Sequence, residues 1–405
     1  MTERTEIVRL RRQVKTFVEA TRGIGLRHVD VSLRYALGSA QSSGTDAQHL
    51  AATIGWLQLA QDVTNCGGVS AVYRLREGWD VPYPETSGYI IGTFLACRDH
   101  YGDETFLHRA CRIGDWEIAL QAPSGGILSR PGSPDTRVFN TGQVMLGWGA
   151  LFEATQETRY LDAACRAGDY LLALQEQDGA WHRDTYCGPR TYHARTDWAL
   201  LKIGGLSGNV NYSEAACRNL AWVLAQHAGN GWFNHCGFHA QDPITHVIDY
   251  TLIGLLESFL LQPDVFPMTP LPVLKMAADA ICESIDRYRV CGIRGMIPAS
   301  FNKDWQSADD HSCLTGNAQL AYTLFRLFGM TGTARYYESA VTLINALKLT
   351  QVIEGVEPEV CGALPGSYPM HTGYHANTFP NWGPKFFADA LLAKLHEGGR
   401  FAVRA

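Results

Sequence analysis

From about residue 45 onward, two kinds of apolar segment alternate along this chain. The first kind carries a single stripe. In "TFLHRACRIGDWEIALQ" (105–121) and "RYLDAACRAGDYLLALQ" (159–175) apolar residues recur at three- and four-residue spacing, and Cys111, Asp115 and Gln121 return as Cys165, Asp169 and Gln175, each 54 positions on. A weaker copy, "NYSEAACRNLAWVLAQ", places Tyr212, Cys217 and Trp222 52 positions beyond Tyr160, Cys165 and Tyr170, and "RYYESAVTLINALKLTQ" (335–351) is fainter still. "DAQHLAATIGWLQLAQDV" (46–63) and a segment at about 272–288 extend the series. Such periodicity predicts amphipathic helices with one buried face.

The second kind is apolar nearly all round, with polar residues gathered at its start. Its members are "PETSGYIIGTFLACRDHYG", "FNTGQVMLGWGALFEATQ", "TYHARTDWALLKIGG", "THVIDYTLIGLLESFLL", "CLTGNAQLAYTLFRLFGMTG" and "NWGPKFFADALLAKLHEG". Anchored on Thr86, Thr141, His193, His246, Thr315 and Trp382, they are separated by 55, 52, 53, 69 and 67 residues. Six striped and six all-apolar helices at a repeating interval predict an all-α (α/α)6 toroid, with the striped helices outside and the others lining the ring. Each hairpin needs its neighbours to bury its stripe. A single toroid domain over 45–405 follows, preceded by an N-terminal helical extension over 1–44. The Gly- and Pro-rich loops ("APSGGILSRPGSPDTRV", "CGPRT", "PGSYPMHTGYHANTFPNWG") fall between outer and inner helices, where the chain reverses over one rim. Long structured loops on a rigid scaffold are where function concentrates.

Composition narrows the classes. Hydrophobic residues at 46% against 18% charged supply a large core. A net charge of −6, with no basic run beyond "RLRRQVK", argues against nucleic acid. No window approaches 18 consecutive apolar residues, so no membrane span is expected. The start lacks a secretory apolar stretch, and eleven cysteines without a CxxC pair read as reduced thiols; a cytoplasmic location is the expectation. The basic N-terminal segment and the tail "RFAVRA" leave a homodimer open.

In a toroid the first turns of the inner helices point into a central funnel. Here those turns carry Glu85 and Tyr89, Asn140 and Gln143, His193 and Asp197, His246 with Asp249 and Tyr250, Asn317 and Gln319, and Asn381 with Lys385. Most pairs lie three or four apart and so share a helical face. This set reads as a ligand funnel, although each residue singly could be a cap or a rim contact. Of fourteen histidines, His182, His193, His235, His239, His246, His311, His371 and His375 fall in the outer-to-inner loops or inner-helix starts. An imidazole is the natural proton shuttle near neutrality. His193 and His246 open consecutive inner helices, and Asp197 and Asp249 follow them closely enough to fix each tautomer. Arg190, Arg195 and Lys385 offer counter-charge to a carboxylate. Aromatic residues, among them Trp79, Tyr83, Trp181, Tyr186, Tyr192, Trp232, Trp305, Tyr368, Tyr374 and Trp382, crowd the loops, suiting sugar faces or a carbocation. "NHCGFH" (234–239) with Cys187 is a zinc alternative, but no second closely spaced Cys/His pair accompanies it, and neither metal nor cofactor is expected.

"LLALQEQDGAW" (171–181) resembles the short repeat of squalene and terpene cyclases. Its physical work is to end an outer helix at Gln175, turn on Gly179 and seat Trp181, which any toroid can use. The acidic motifs of the two cyclase classes have no counterpart beyond "SADDHS" (307–312). The chain from about residue 45 more closely resembles the six-hairpin toroids of sugar enzymes: unsaturated glucuronyl hydrolases, N-acylglucosamine 2-epimerases, polysaccharide lyases and the helical domain of glucuronyl C5-epimerases. The phrases that carry this are "GGVSAVYRLREGW", "YPETSGY", "TGNAQLA" and "PNWGPKFFADALL". The resemblance implies a small sugar or oligosaccharide substrate, and no catalytic residue is carried over from those enzymes. The expectation is proton abstraction from a uronate-type sugar, as epimerase or lyase. His193, His246, Tyr192, Tyr250, Asp197 and Asp249 form the catalytic set. Glu85, Tyr89, Asn140, Gln143, Arg195, Asn317, Gln319, Trp382 and Lys385 bind substrate. Alternatives are a glycoside hydrolase using Glu85, Asp197 and Asp249, a terpene cyclase, or a non-catalytic glycan-binding toroid.

Overall fold

A computed structural model describes Val18 and residues 28–36, 44–238 and 242–396. A short helix, α1 (Val29–Ala36), precedes twelve helices that alternate between two concentric rings. The outer helices are α2 (Asp46–Asp62), α4 (Thr105–Leu120), α6 (Thr158–Leu174), α8 (Val210–Ala225), α10 (Leu271–Arg287) and α12 (Ala334–Lys348). The inner helices are α3 (Pro84–Tyr101), α5 (Val138–Thr155), α7 (Ala194–Ser207), α9 (Thr245–Leu261), α11 (Leu314–Thr331) and α13 (Trp382–Leu395). Each inner helix packs on the next, and α13 closes the ring on α3. The expected (α/α)6 toroid is the observed fold. Among the described residues no helix is long and apolar enough to cross a membrane.

Burial follows the two patterns. On α5 every residue from Val138 to Leu151 is buried, whereas α4 buries only Phe106, Ala110, Ile113, Gly114 and Glu117. Inner helices end in tight reversals onto outer ones, capped in the left-handed region at Gly102 (φ 67°), Gly208 (φ 73°) and Gly332 (φ 68°), where glycine avoids the Cβ clash.

The sequence repeat has a repeated job. Gln121 at the end of α4 donates to the Gly125 carbonyl (2.8 Å) and to the Ala163 carbonyl of the next outer helix (3.0 Å), while Arg166 of that helix donates back to its Oε1 (2.8 Å). Gln175 does the same with Gly179, Ala215 and Arg218, and Gln61 with Gly67 and the Arg109 carbonyl and guanidinium. At the closure Gln351 bonds the Gly362 carbonyl (2.6 Å), and His49 of α2 takes the arginine's place at its Oε1 (2.6 Å). Asp46 then accepts from Lys348 (2.9 Å) and Lys394 (2.6 Å), tying the first outer helix to the last hairpin. Trp181, fully buried, donates to the Leu171 carbonyl (2.9 Å), as the cyclase-like repeat leads one to expect of a toroid joint.

Short strands dress the loop-bearing rim. β1 (Val72–Arg74) pairs with β2 (Gly78–Trp79) and β5 (Thr378–Pro380), and β3 (Ser312–Cys313) with β4 (Ser367–Tyr368). The extension expected over 1–44 lies mostly outside the described residues, as does the tail "RFAVRA". The visible part, α1, sets Tyr35 against Phe379 (ring centroids 6.2 Å apart), and His28 reaches the Tyr73 hydroxyl (2.9 Å), so it buttresses this rim sheet.

Candidate functional site

The inner-helix starts and rim loops enclose a cavity of about 350 Å³. Glu85, Thr86 and Tyr89 enter from α3, His246 and Tyr250 from α9, and Trp382 from α13; Tyr83, Tyr186, Phe238, Tyr374 and His375 come from loops. Of the residues expected from the sequence, Glu85, Tyr89, His246, Tyr250 and Trp382 therefore line it.

Among the described lining residues Glu85 is the one carboxyl. The Tyr83 hydroxyl donates to Oε2 (2.9 Å) and lies 2.6 Å from the Tyr186 hydroxyl, which in turn donates to Asn140 Oδ1 (2.9 Å). Asn140 holds that orientation by donating from Nδ2 to the Leu128 carbonyl (3.2 Å). Burial raises Glu85 from its ordinary 4.5 to about 7, against the Tyr83 hydrogen bond and the Arg195 charge, which favour the carboxylate. Burial lowers His246 to about 3, with His375 nearby adding to the effect, and lowers His375 to about 4, with Arg74 adding. Both imidazoles are neutral at pH 7. Their rings lie against aromatic ones: His246 on Tyr374 (centroids 4.8 Å) and His375 on Trp382 (5.0 Å).

A second layer lies below. Arg195, Asp249, Gln319 and Lys385 border a much smaller void with Trp198, Tyr322, Phe386 and Asp389. The buried Arg195 guanidinium donates to Gln143 (2.7 Å) and lies 5.4–5.9 Å from the ring centres of Tyr250, Trp198, Phe386 and Tyr89, an aromatic cage for a cation. Lys385 is bonded to Asp389 (2.5 Å), and Asp249, raised by burial to about 7, accepts from Thr323 (2.7 Å). Neither cation lines the cavity.

Other expected residues stand elsewhere. His193 is fully buried between Trp181 and Tyr192 (centroids 5.7 and 4.8 Å), its nitrogens have no hydrogen-bond partner, and burial lowers it to about 3. Asp197, equally buried, has no partner and is pushed up by burial, so the expected His193–Asp197 bond is not formed. Tyr192 packs on Phe139 and Phe238 without entering the cavity. Asn317 is structural, bonding Ser312, the Cys313 carbonyl and the Ile297 amide. Nor does Asp249 orient His246: the Cys313 thiol stands at its Nδ1 (3.7 Å). Tyr83, Tyr186, Tyr374 and His375 carry sequence signals as loop aromatics or histidines; Phe238 and Cys313 had none. Among the described residues no three His, Cys, Asp or Glu side chains gather as a metal site; His239 of "NHCGFH" lies outside them, and the Cys187 sulfur accepts from Arg190 (3.2 Å).

No family model matches the sequence, and no curated protein does. Solved structures that share the fold are numerous. They include the unsaturated glucuronyl hydrolase from Bacillus sp. GL1, responsible for the degradation of glycosaminoglycan (15% identical, 87% of this chain and 97% of that one, TM-score 0.66). They also include cellobiose 2-epimerase from Spirochaeta thermophila (14%, 87% and 96%, 0.64) and D-mannose isomerase (13%, 87% and 98%, 0.65). All are (α/α)6 toroids, and this chain shares that fold along nearly their whole length.

Proposed function

We propose that this protein is a carbohydrate-active enzyme that moves a proton at a carbon of a neutral sugar, in the manner of an epimerase or isomerase. The observation that carries this reading is the content of the cavity: among the described lining residues, one carboxyl whose proton affinity lies near neutrality, two uncharged imidazoles, and aromatic faces on every side. Flat rings suit the C–H faces of a sugar. Glu85 on α3 and His246 on α9 stand three places apart in a ring of six, so they address a bound carbon from opposite sides. One takes the carbon-bound proton to leave an enediolate, the other returns a proton to carbon or oxygen, and tyrosine hydroxyls hold the developing charge. Solved toroids named as a 2-epimerase and an isomerase support the class.

The uronate expected from the sequence loses its counter-charge here. Among the described lining residues none is Lys or Arg, and Arg195 and Lys385 are engaged below the floor. A uronate would instead meet Glu85. Hydrolysis is the second reading, favoured by the protonated fraction of Glu85 at pH 7, which suits a general acid. Trp382 fluorescence tests the substrate class. Neutral mono- and disaccharides should perturb it, and uronates should bind more weakly as pH rises through 7 and Glu85 ionises. Tighter binding of uronates than of their neutral counterparts at pH 8 would refute the neutral-sugar reading.

A further inference from the structure

His246 has a polar neighbour that its own helix does not supply. Cys313 immediately precedes α11, and its Sγ lies 3.7 Å from His246 Nδ1, both groups buried. The contact exists because α11 starts hard against the first turn of α9. A Cβ on Gly316 would fall 2.0 Å from Thr245 Oγ1 and 2.8 Å from the His246 amide nitrogen, so only glycine lets the two helices meet at this point. Backbone N–H groups of Gly316, Thr315 and His246 and the Thr245 hydroxyl are directed at the sulfur, yet burial prevails and pushes the thiol up to about 11. At neutral pH the group is therefore S–H. Its sulfur already faces these N–H donors and the Thr245 O–H, which leaves its own hydrogen for His246 Nδ1.

We propose that Cys313 is a positioning residue that holds His246 as the Nε2–H tautomer, with that N–H turned to the cavity. A neutral imidazole carries one proton, so accepting at Nδ1 places it on Nε2. This inference rests on the proposed sugar chemistry for its consequence and divides the labour there. His246 is the hydrogen-bond donor to a sugar oxygen, and the ionised fraction of Glu85 is the base that takes the carbon-bound proton. The taken proton rests on the Glu85 carboxyl and returns to the substrate from it or from exchange with water. His246 gives its proton to one enediolate oxygen and regains one from the neighbouring hydroxyl as Glu85 protonates the adjacent carbon, so the cycle closes as an isomerisation between adjacent carbons.

The test reads the tautomer directly and needs no turnover. In protein labelled with ¹⁵N-histidine, a long-range ¹H–¹⁵N spectrum at pH 7.5 distinguishes the protonated from the bare ring nitrogen, and the His246 signals are assigned by their loss in His246→Asn. The expected result is a protonated Nε2 and a bare Nδ1. A protonated Nδ1 overturns the proposal. Cys313→Ser keeps a donor and should preserve the pattern; Cys313→Ala should mix the two tautomers. An unchanged pattern in a folded Cys313→Ala overturns the proposal, and should that variant not fold, the wild-type and serine spectra decide. With a substrate in hand, Cys313→Ala should lower kcat about tenfold with KM nearly unmoved, and serine should restore most of it. Absence of turnover on every sugar would refute the proposed reaction while leaving the tautomer result standing.

Discussion

Replacing Glu85 with Gln isolates one buried carboxyl and the free energy of charging it. The folded protein holds its proton up to about pH 7, whereas the unfolded chain releases it near 4.5. At 1.36 kcal/mol per pH unit, ionising Glu85 in place costs the fold about 3 kcal/mol. The sign is fixed by which state binds the proton more tightly. Below pH 4.5 the carboxyl is protonated in both states and costs nothing; between 4.5 and 7 stability falls; above 7 the loss is complete. Gln keeps an oxygen for the Tyr83 hydroxyl and cannot ionise, so the variant lacks this fall. Asp249, whose carboxyl is raised in the same way, is present in both proteins and largely cancels in the difference. Denaturant unfolding at intervals from pH 4 to 8.5 should show Glu85→Gln gaining about 3 kcal/mol on the wild type across that range. Parallel curves would refute the burial argument and with it the assignment of Glu85 as a group poised near neutrality.

Removing the Tyr83 hydroxyl (Tyr83→Phe) takes away the hydrogen bond that most favours the Glu85 carboxylate, so the Glu85-dependent fall in stability should move to higher pH; a shift to lower pH would contradict the geometry. Gly316→Ala forces a Cβ into Thr245 and should cost about 1–3 kcal/mol in urea unfolding, and undiminished stability would show that α9 and α11 are not in contact there. Asp46→Ala breaks two ion pairs at the ring closure that are only partly shielded from water, so it should cost no more than about 1 kcal/mol and less in 1 M salt; a much larger loss that salt reduces would mean that the closure depends on charge rather than on the buried Gln351 clamp.

The ring was legible because each hairpin repeats the same burial problem, and the Gln121–Gln175 spacing of 54 marks the same joint twice. The rim was legible too, since polar first turns on otherwise apolar helices have little other use. Depth was not. Residues three or four apart share a face, but each step carries the side chain about 5 Å further down the helix axis. Hence His246 reaches the cavity while Asp249 lies in the layer below, and Trp382 lines the cavity while Lys385 and Asp389 pair beneath it. Partners on other elements were equally hidden. Cys313 meets His246 across 67 residues of chain, and Tyr186 reaches Glu85 from a loop 101 residues away, contacts that no local spacing announces. His193 shows the converse: an imidazole at a helix start, in register with His246, that the fold spends on core contacts between Trp181 and Tyr192.

The account stands most directly on whether a carbon-bound proton of a sugar is exchanged in this cavity. Purified protein incubated in heavy water with a panel of neutral aldoses, neutral disaccharides and uronates, followed by proton NMR, reads that event. Loss of a carbon-bound proton signal next to the carbonyl carbon of a neutral sugar, abolished in Glu85→Gln, is the predicted result. New reducing ends without deuterium incorporation, or exchange that persists undiminished in Glu85→Gln, would contradict it.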